Sequence, residues 1–109
     1  MRAAPRCTVA ETVDVIGGKW KPTILFQLKD QPRRFNELRR LVPGITQRML
    51  TLQLRALEDD GIISRRVLEQ VPPHVEYALT ERGSTLAPIL EAMDTWGRTY
   101  GRIRPRPLR

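Results

Sequence analysis

A group of polar residues recurs along positions 46–61 at spacings that place its members on one face of a helix: Gln47, Arg48, Thr51 and Arg55. Arginine and glutamine can make paired hydrogen bonds to guanine and adenine edges in the major groove of DNA. Most of the group lies at the N-terminal end of the predicted helix, the end that a helix-turn-helix protein presents to bases. The alternative is a solvated face of ordinary surface residues, and this spacing by itself does not separate the two.

The stretch from Arg34 to Gly61 predicts the two helices that would position these side chains. Asn36 can cap the first helix, and Pro43-Gly44 ends it, because proline disfavours helix in the residue before it. Thr46 can cap the second helix, and Gly61 provides a left-handed stop. The second helix has an apolar inner face formed by Leu50, Leu54 and Leu57.

Two helices are predicted before this unit. Thr8-Val9-Ala10-Glu11 has the spacing of a capping box, so a helix should start at Thr8 and end at Gly17-Gly18. A short second helix should start at about Lys21, where Pro22 is tolerated because the first turn has no N–H partner to lose.

After Gly61 the hydrophobic pattern changes from helical to alternating, which predicts a β-hairpin with a loop at positions 70–73. Thr80 can then cap a final helix, with a kink or restart near Ser84 to Pro88. The order predicts a mainly α protein with a small β-hairpin (α+β): a winged helix-turn-helix with additional N- and C-terminal helices for dimerisation. We expect one domain over residues 7–101 and a basic, disordered tail over 102–109.

A basic hairpin placed directly after a recognition helix is a wing, which can lie along the DNA backbone or the minor groove. The candidate DNA-binding residues are therefore the polar and basic side chains of the helix-turn-helix and the wing: Arg34, Asn36, Thr46, Gln47, Arg48, Thr51, Arg55, Arg65 and Arg66.

Charge supports a nucleic-acid partner. Lys and Arg total 19 against 12 Asp and Glu, giving a net charge of +7, and many of the arginines fall in the helix-turn-helix and the hairpin. We see no basic amphipathic helix suited to a membrane surface. One Cys and one His give no metal site, and no catalytic arrangement or cofactor motif stands out, so we expect neither an enzyme nor a cofactor. Without a secretory signal or membrane segment, a cytoplasmic location is the default.

The final helix carries a longer apolar stripe than one small domain needs, which favours a homodimer over packing within a single chain. Together with the first helix it gives the candidate dimer interface: Val9, Val13, Leu90, Met93, Trp96 and Tyr100.

The sequence resembles the HxlR family of bacterial winged helix-turn-helix transcription regulators. The matching segments run from about Cys7 to Gly97: IGGKWKPTILFQL, RRFNELRRLVPGITQRMLTLQLRALEDDGIISR, VPPHVEYALTERG and MDTWG. The resemblance implies a homodimer, paired through the terminal helices, that binds a roughly palindromic double-stranded operator and often acts as a repressor.

Several members of that family use a cysteine before the first helix to sense electrophiles or oxidants, and Cys7 occupies that position. This chain continues with Thr8 where the family commonly has proline, and it has no second cysteine. A helix N-terminus beside Arg6 favours the thiolate, whereas burial in the dimer seam would favour the inert thiol. Both interpretations of Cys7 remain open.

Two other functions compete with a thiol-sensing, DNA-binding regulator. One is a winged-helix module for protein–protein contact, which would need neither the polar recognition face nor the basic wing. The other is a regulator that responds to a small molecule without thiol sensing. The sequence shows no polar groups converging on an apolar cavity, so it identifies no such ligand.

Overall fold

The computed structural model of the protein describes residues 7–101. Its helices are α1 (Thr8–Ile16), α2 (Lys21–Leu28), α3 (Phe35–Leu41), α4 (Gln47–Asp59), α5 (Glu81–Ser84) and α6 (Ala87–Tyr100), and its strands are β1 (Arg33–Arg34), β2 (Ile63–Leu68) and β3 (His74–Leu79). The mainly helical winged helix-turn-helix fold is confirmed. The predicted tail at positions 102–109 lies outside the described residues.

A tight turn joins α3 to α4, as predicted from Pro43-Gly44. The N–H of Ile45 donates to the carbonyl of Val42 at 3.3 Å, and Gly44 has a φ of 82°. Proline followed by a positive-φ glycine is the sequence that a type II turn requires. The Thr46 hydroxyl then accepts a hydrogen bond from the N–H of Met49 at 3.0 Å, which confirms Thr46 as the cap of α4.

The C-terminal end of α4 is a Schellman motif built on Gly61. Gly61 has a φ of 73°, and its N–H donates to the carbonyl of Glu58 at 2.9 Å. The N–H of Ile62 donates to the carbonyl of Leu57 at 2.9 Å. These two bonds satisfy carbonyls that a helix end leaves unpaired, so the predicted left-handed stop is confirmed.

The start of α3 differs from the prediction, because Asn36 lies inside the helix and does not cap it. Arg34 occupies the cap position, and its N–H donates to Oε1 of Glu37 at 3.2 Å. Arg33 donates from Nε to the carbonyl of Gln27 at 2.9 Å and from a terminal nitrogen to Oε2 of Glu37 at 3.1 Å. Pairing with β3 keeps Arg33 and Arg34 extended, and α3 begins directly after them at Phe35, two residues earlier than a cap at Asn36 predicts.

The sheet has three strands in the order β1-β3-β2, all antiparallel, and not the two strands of the predicted hairpin. β2 and β3 form the hairpin, with Ile63 opposite Leu79 and Leu68 opposite His74. β1 adds two residues, with Arg33 opposite Tyr77. A two-residue strand is too short to show alternation in the sequence.

The terminal helices follow the predicted boundaries, with one change of cap. α1 starts at Thr8, but Cys7 occupies the cap position without a side-chain hydrogen bond, so the predicted capping box with Thr8 as its cap is wrong. The Thr80 hydroxyl accepts from the N–H of Gly83 at 3.0 Å and caps α5, as predicted. The chain then restarts as α6, in the interval where Pro88 predicted a kink or restart.

One apolar core joins the helix-turn-helix, α2, the sheet and α6. Its buried side chains are Ile16, Ile24, Leu25, Leu28, Leu38, Val42, Ile45, Leu50, Leu54, Leu57, Ile62, Ile63, Leu86 and Leu90. Within residues 7–101, no helix has the combined length and apolar character needed to cross a bilayer.

The contacts of the Glu37 carboxylate predict how the stability of the fold depends on pH. The Arg34 N–H lowers the pKa of Glu37 below its ordinary value of 4.5, and Arg33 and Arg40 lower it further, against the opposing effect of burial. A carboxyl whose pKa is lower in the folded state than in the unfolded state stabilises the fold at pH values above its unfolded-state pKa. This contribution is lost as the pH falls through its folded-state pKa. Glu37→Gln should therefore reduce the unfolding free energy at pH 7 by up to about 1 kcal/mol, and the deficit should shrink as pH falls below 4.5.

Denaturant unfolding of the wild type and the variant from pH 7 to pH 3 measures this difference. Glu58→Gln is the matched control, because the Glu58 side chain is exposed and makes no hydrogen bond among the described residues. A Glu37→Gln deficit that stays constant across this pH range would contradict the assigned role.

Candidate nucleic-acid interface

The outward face of α4 carries the predicted base-reading side chains. Gln47, Arg48 and Arg55 are exposed, and none of them makes a side-chain hydrogen bond or ion pair among the described residues. Their donors are therefore available to a ligand. The inner face is fixed in the core by three buried side chains, Leu50, Leu54 and Leu57.

Two residues of the predicted DNA-binding set have their hydroxyls in use within α4. The Thr46 hydroxyl oxygen caps the helix by accepting from Met49 N–H. The Thr51 hydroxyl donates to the carbonyl of Gln47 at 2.9 Å. With its proton donated inside the helix, Thr51 can offer DNA its methyl group or an oxygen lone pair, but not a donor. The sequence spacing could not show this, because the hydroxyl direction depends on the rotamer.

The two wing arginines face opposite sides of the hairpin, since consecutive residues of a strand alternate. Arg66 lies opposite Glu76 on β3 and pairs with its carboxylate at 3.1 Å. Arg65 lies opposite Tyr77, is exposed, and has no ionic partner among the described residues. Of the two, Arg65 is the one whose charge is not already matched by a carboxylate.

Arg34 and Asn36 lie at the start of α3, and both are exposed. They line a cleft of about 850 Å³ between the start of α3 and the start of β3, together with Arg40 and His74. Neither Arg40 nor His74 was among the predicted binding residues. Arg40 lies four residues after Asn36 in α3, about one helical turn, so helical spacing could have placed the two together. His74 lies on β3, and only the folded chain brings it to this cleft.

A second exposed surface is apolar and lies on α1 and α6. It is formed by Val9, Val13, Ile89, Met93, Trp96 and Tyr100. A groove of about 450 Å³ lies between the two helices and is lined in part by Val9, Val13, Ile89 and Met93. The Trp96 and Tyr100 rings lie 5.8 Å apart further along α6. We call this surface the apolar face.

Leu90, a predicted interface residue, does not belong to the apolar face, because only 2% of it is exposed and it packs in the core. Ile89, which the prediction omitted, is 42% exposed and takes its place. The apolar stripe predicted from the sequence combined residues from two different faces of α6. Leu86 and Leu90 point into the chain's own core, whereas Ile89, Met93 and Trp96 repeat at helical spacing on the exposed side.

Cys7 is exposed and sits at the N-terminal end of α1, two residues before Val9 of the apolar face. Its carbonyl accepts from the N–H of Glu11 at 3.1 Å, while its thiol is free. The second interpretation, a thiol buried in a dimer seam, stays a prediction, because such a seam would form only with a second chain.

Comparisons with known proteins identify helix-turn-helix transcriptional regulators. The family model for the HxlR-like helix-turn-helix matches residues 15–104. The uncharacterized HTH-type transcriptional regulator YdeP of Bacillus subtilis is 60% identical over 94 residues, which cover 86% of this chain and 73% of that protein.

Solved structures give the same result. The redox regulator HypR in its oxidized form is 55% identical, with a TM-score of 0.82, and the match covers 94% of this chain and 100% of that one. Diamide-treated YodB from B. subtilis is 33% identical, with a TM-score of 0.72, over 89% of this chain and 97% of that one.

Proposed function

The chain belongs to the HxlR-like helix-turn-helix family, and we propose that it acts as a homodimeric repressor that binds a palindromic operator. It is a transcriptional regulator of the helix-turn-helix type and not an enzyme. The observation that carries the proposal is the outward face of α4, where Gln47, Arg48 and Arg55 have no partners within the described chain. As operator binding takes place on the genome, we place the protein in the cytoplasm.

In this proposal, one arginine contacts the bases and a different arginine contacts the DNA backbone. Arg48 lies in the first turn of α4, the end that approaches base edges in helix-turn-helix complexes. Arg65 lies on the wing, where a cation contacts phosphate regardless of base sequence. Arg34, Asn36, Gln47, Thr51 and Arg55 complete the proposed contact surface, with Thr46 positioning the start of α4.

Substitution should separate these two roles. We expect Arg48→Ala to weaken operator binding by about 1–3 kcal/mol and to relax base preference at one position. We expect Arg65→Ala to weaken all duplexes alike and to lower the salt slope by about one. Titration of both variants against operator and scrambled duplexes at several salt concentrations measures both effects. Equal weakening of both duplexes by Arg48→Ala would contradict its base-reading role.

The apolar face supports the proposed homodimer. Val13 is 55% exposed and Trp96 is 62% exposed, although both are large apolar side chains. Such a patch on two adjacent helices is typical of an interface, and a two-fold axis through it uses the same patch on both copies. A dimer of this kind presents two recognition helices to two half-sites.

Val13→Asp places a charge in this interface, so we expect a monomer by light scattering and loss of the two-half-site footprint. In the wild type, the half-site centres should lie about one helical turn apart, roughly 34–36 Å, or a multiple of it. Val71→Asp is the control for oligomeric state, because Val71 is a fully exposed valine at the wing tip. A wild-type monomer that protects a single half-site would overturn the homodimer.

Cys7 supports a redox or electrophile response. Two similar structures are those of a redox regulator in its oxidized form and of a diamide-treated protein. In this chain the thiol is exposed at the N-terminal end of α1, next to the apolar face. The sequence holds a single cysteine, so a disulfide must join Cys7 to a second chain or to a small thiol, and an electrophile would form an adduct with Cys7. Each of these products would alter α1 and with it the proposed interface.

Treatment with diamide, which takes two hydrogens from a pair of thiols, should therefore change operator affinity. Cys7→Ser should abolish the change while leaving untreated binding as in the wild type. Mobility shifts with and without diamide, repeated with a quinone, measure the response. A Cys7→Ser protein that still responds, or a wild type that does not, would leave the thiol without a sensing role.

A further inference from the structure

Leu52 is an apolar residue that α4 leaves exposed, and it was not among the predicted DNA-binding residues. Leu52 is 49% exposed, whereas the other three leucines of the helix, Leu50, Leu54 and Leu57, are buried. Since successive helical residues differ by about 100°, Leu52 lies about 140–160° around the helix from each of the three. Burial of those leucines in the core therefore turns Leu52 outward.

Two arginines of the proposed contact surface flank Leu52 on α4. Arg48 precedes Leu52 by four residues and Arg55 follows it by three, and these are the spacings at which side chains of one helix are neighbours. Both arginines are exposed and make no side-chain hydrogen bond or ion pair among the described residues. Leu52 thus lies within the outward face, between two cationic groups that are available to DNA.

A single exposed leucine is ordinary on a protein surface, so the surroundings of Leu52 decide whether it has a ligand. The apolar face contains no residue of α4, so the proposed dimer interface does not include Leu52. Its neighbouring arginines belong to the surface that we propose for DNA, and a major groove that receives them also receives Leu52. Binding then removes this leucine from water, which is favourable against an apolar partner.

The base edges of the major groove offer one methyl group, the C5-methyl of thymine. The other recognition groups are hydrogen-bond donors and acceptors: N7 and O6 of guanine, N7 and N6 of adenine, N4 of cytosine and O4 of thymine. A leucine placed against one of these would displace its water without replacing the hydrogen bond, which weakens binding. An exposed leucine between two arginines of the contact surface therefore favours thymine.

We propose that Leu52 contacts the C5-methyl group of a thymine in each half-site and selects thymine over cytosine at that position. The inference rests on the proposed function for its ligand, and it adds an apolar contact to those of the polar side chains. Four helical residues rise about 6 Å, which is about two base-pair steps of about 3.4 Å. We therefore expect the thymine within about two base pairs of the base that Arg48 contacts.

Exchange of thymine for uracil removes this methyl group and leaves the hydrogen-bonding groups of the base unchanged. The probe is a duplex that the wild type selects from a randomised pool, with uracil placed at one thymine at a time. At one position per half-site, the exchange should weaken the wild type by about fourfold, which corresponds to about 0.8 kcal/mol for one buried methyl group. Leu52→Ala should bind the unmodified duplex more weakly and lose no further affinity at that position, since the contact is already absent.

Gln53→Ala is the matched control, because Gln53 is the next residue of α4 and its side-chain amide donates to the sulfur of Met49 at 3.2 Å. This variant should keep the fourfold response to uracil. Leu52→Met should keep it as well, because methionine is apolar and of similar volume, whereas Leu52→Gln should lose it. All four substitutions lie outside the buried core, so thermal unfolding should stay close to that of the wild type.

Cytosine and 5-methylcytosine give a second measurement of the same methyl group. In the wild type, a duplex with 5-methylcytosine at the position of this thymine should bind about fourfold more tightly than one with cytosine. Leu52→Ala should bind the two duplexes equally. The paired guanine is the same in both, so the difference in affinity reports the methyl group alone. A wild type that does not distinguish the two duplexes would overturn the contact.

The remaining outcomes separate this contact from the proposed function. A uracil effect that is equal in the wild type and in Leu52→Ala at every position would overturn the proposal and leave Leu52 as an ordinary surface residue. If the selection is repeated with Leu52→Gln, a changed preference at all positions would show that α4 has moved, and would overturn direct contact. Neither result affects the regulator, whose wild type still binds its selected duplex. A wild type that binds no duplex DNA would remove both proposals.

Discussion

The orientation of α4 about its own axis is the constraint on which the candidate nucleic-acid interface depends. Three leucines, Leu50, Leu54 and Leu57, are buried in the core, and together they hold one side of the helix inward. Since successive residues of an α-helix differ by about 100°, a shift of one residue would turn this side away from the core. The burial of apolar side chains therefore determines which polar side chains point outward, before any ligand is present.

The ends of α4 determine its position along that axis. At one end the Thr46 hydroxyl accepts from Met49 N–H, and at the other the N–H of Ile62 donates to Leu57. Gly44 and Gly61 have positive φ angles that an L side chain rarely adopts, and each lies just outside the helix. Both ends are thus set by local backbone chemistry. This is why the sequence located α4 correctly without any tertiary information.

Local signals of this kind predicted most of the fold, whereas long-range pairing remained hidden. The caps at Thr46 and Thr80 and the stop at Gly61 depend on residues close in sequence, and all three predictions are confirmed. β1 forms only because Arg33 and Arg34 meet β3 about 43 residues later in the chain, and two residues carry no alternating pattern. The same pairing displaced Asn36 from its predicted role as a cap.

The predicted DNA-binding residues show a similar division between what local sequence predicts and what only the fold determines. Helical spacing was enough to group the outward residues of α4, because they lie within a few turns of each other. It could not tell which arginines the fold uses internally. Arg33 braces the start of α3 through Gln27 and Glu37, whereas Arg34, its neighbour, has a free guanidinium. Two adjacent arginines of identical chemistry thus differ in their contacts because consecutive strand residues point to opposite faces.

Helix α6 links the two exposed surfaces through its buried side. Leu86, at its cap, and Leu90 pack in the same core as the inner face of α4, while Met93 and Trp96 point away into the apolar face. A close-packed core resists deformation, so the shared core fixes the position of α6 relative to α4. In the dimer that we propose, the distance between the two recognition helices is then set by how α1 and α6 pair. In that proposed dimer, a change at the N-terminal end of α1, where Cys7 lies, needs no contact with DNA to alter the distance between the two recognition helices.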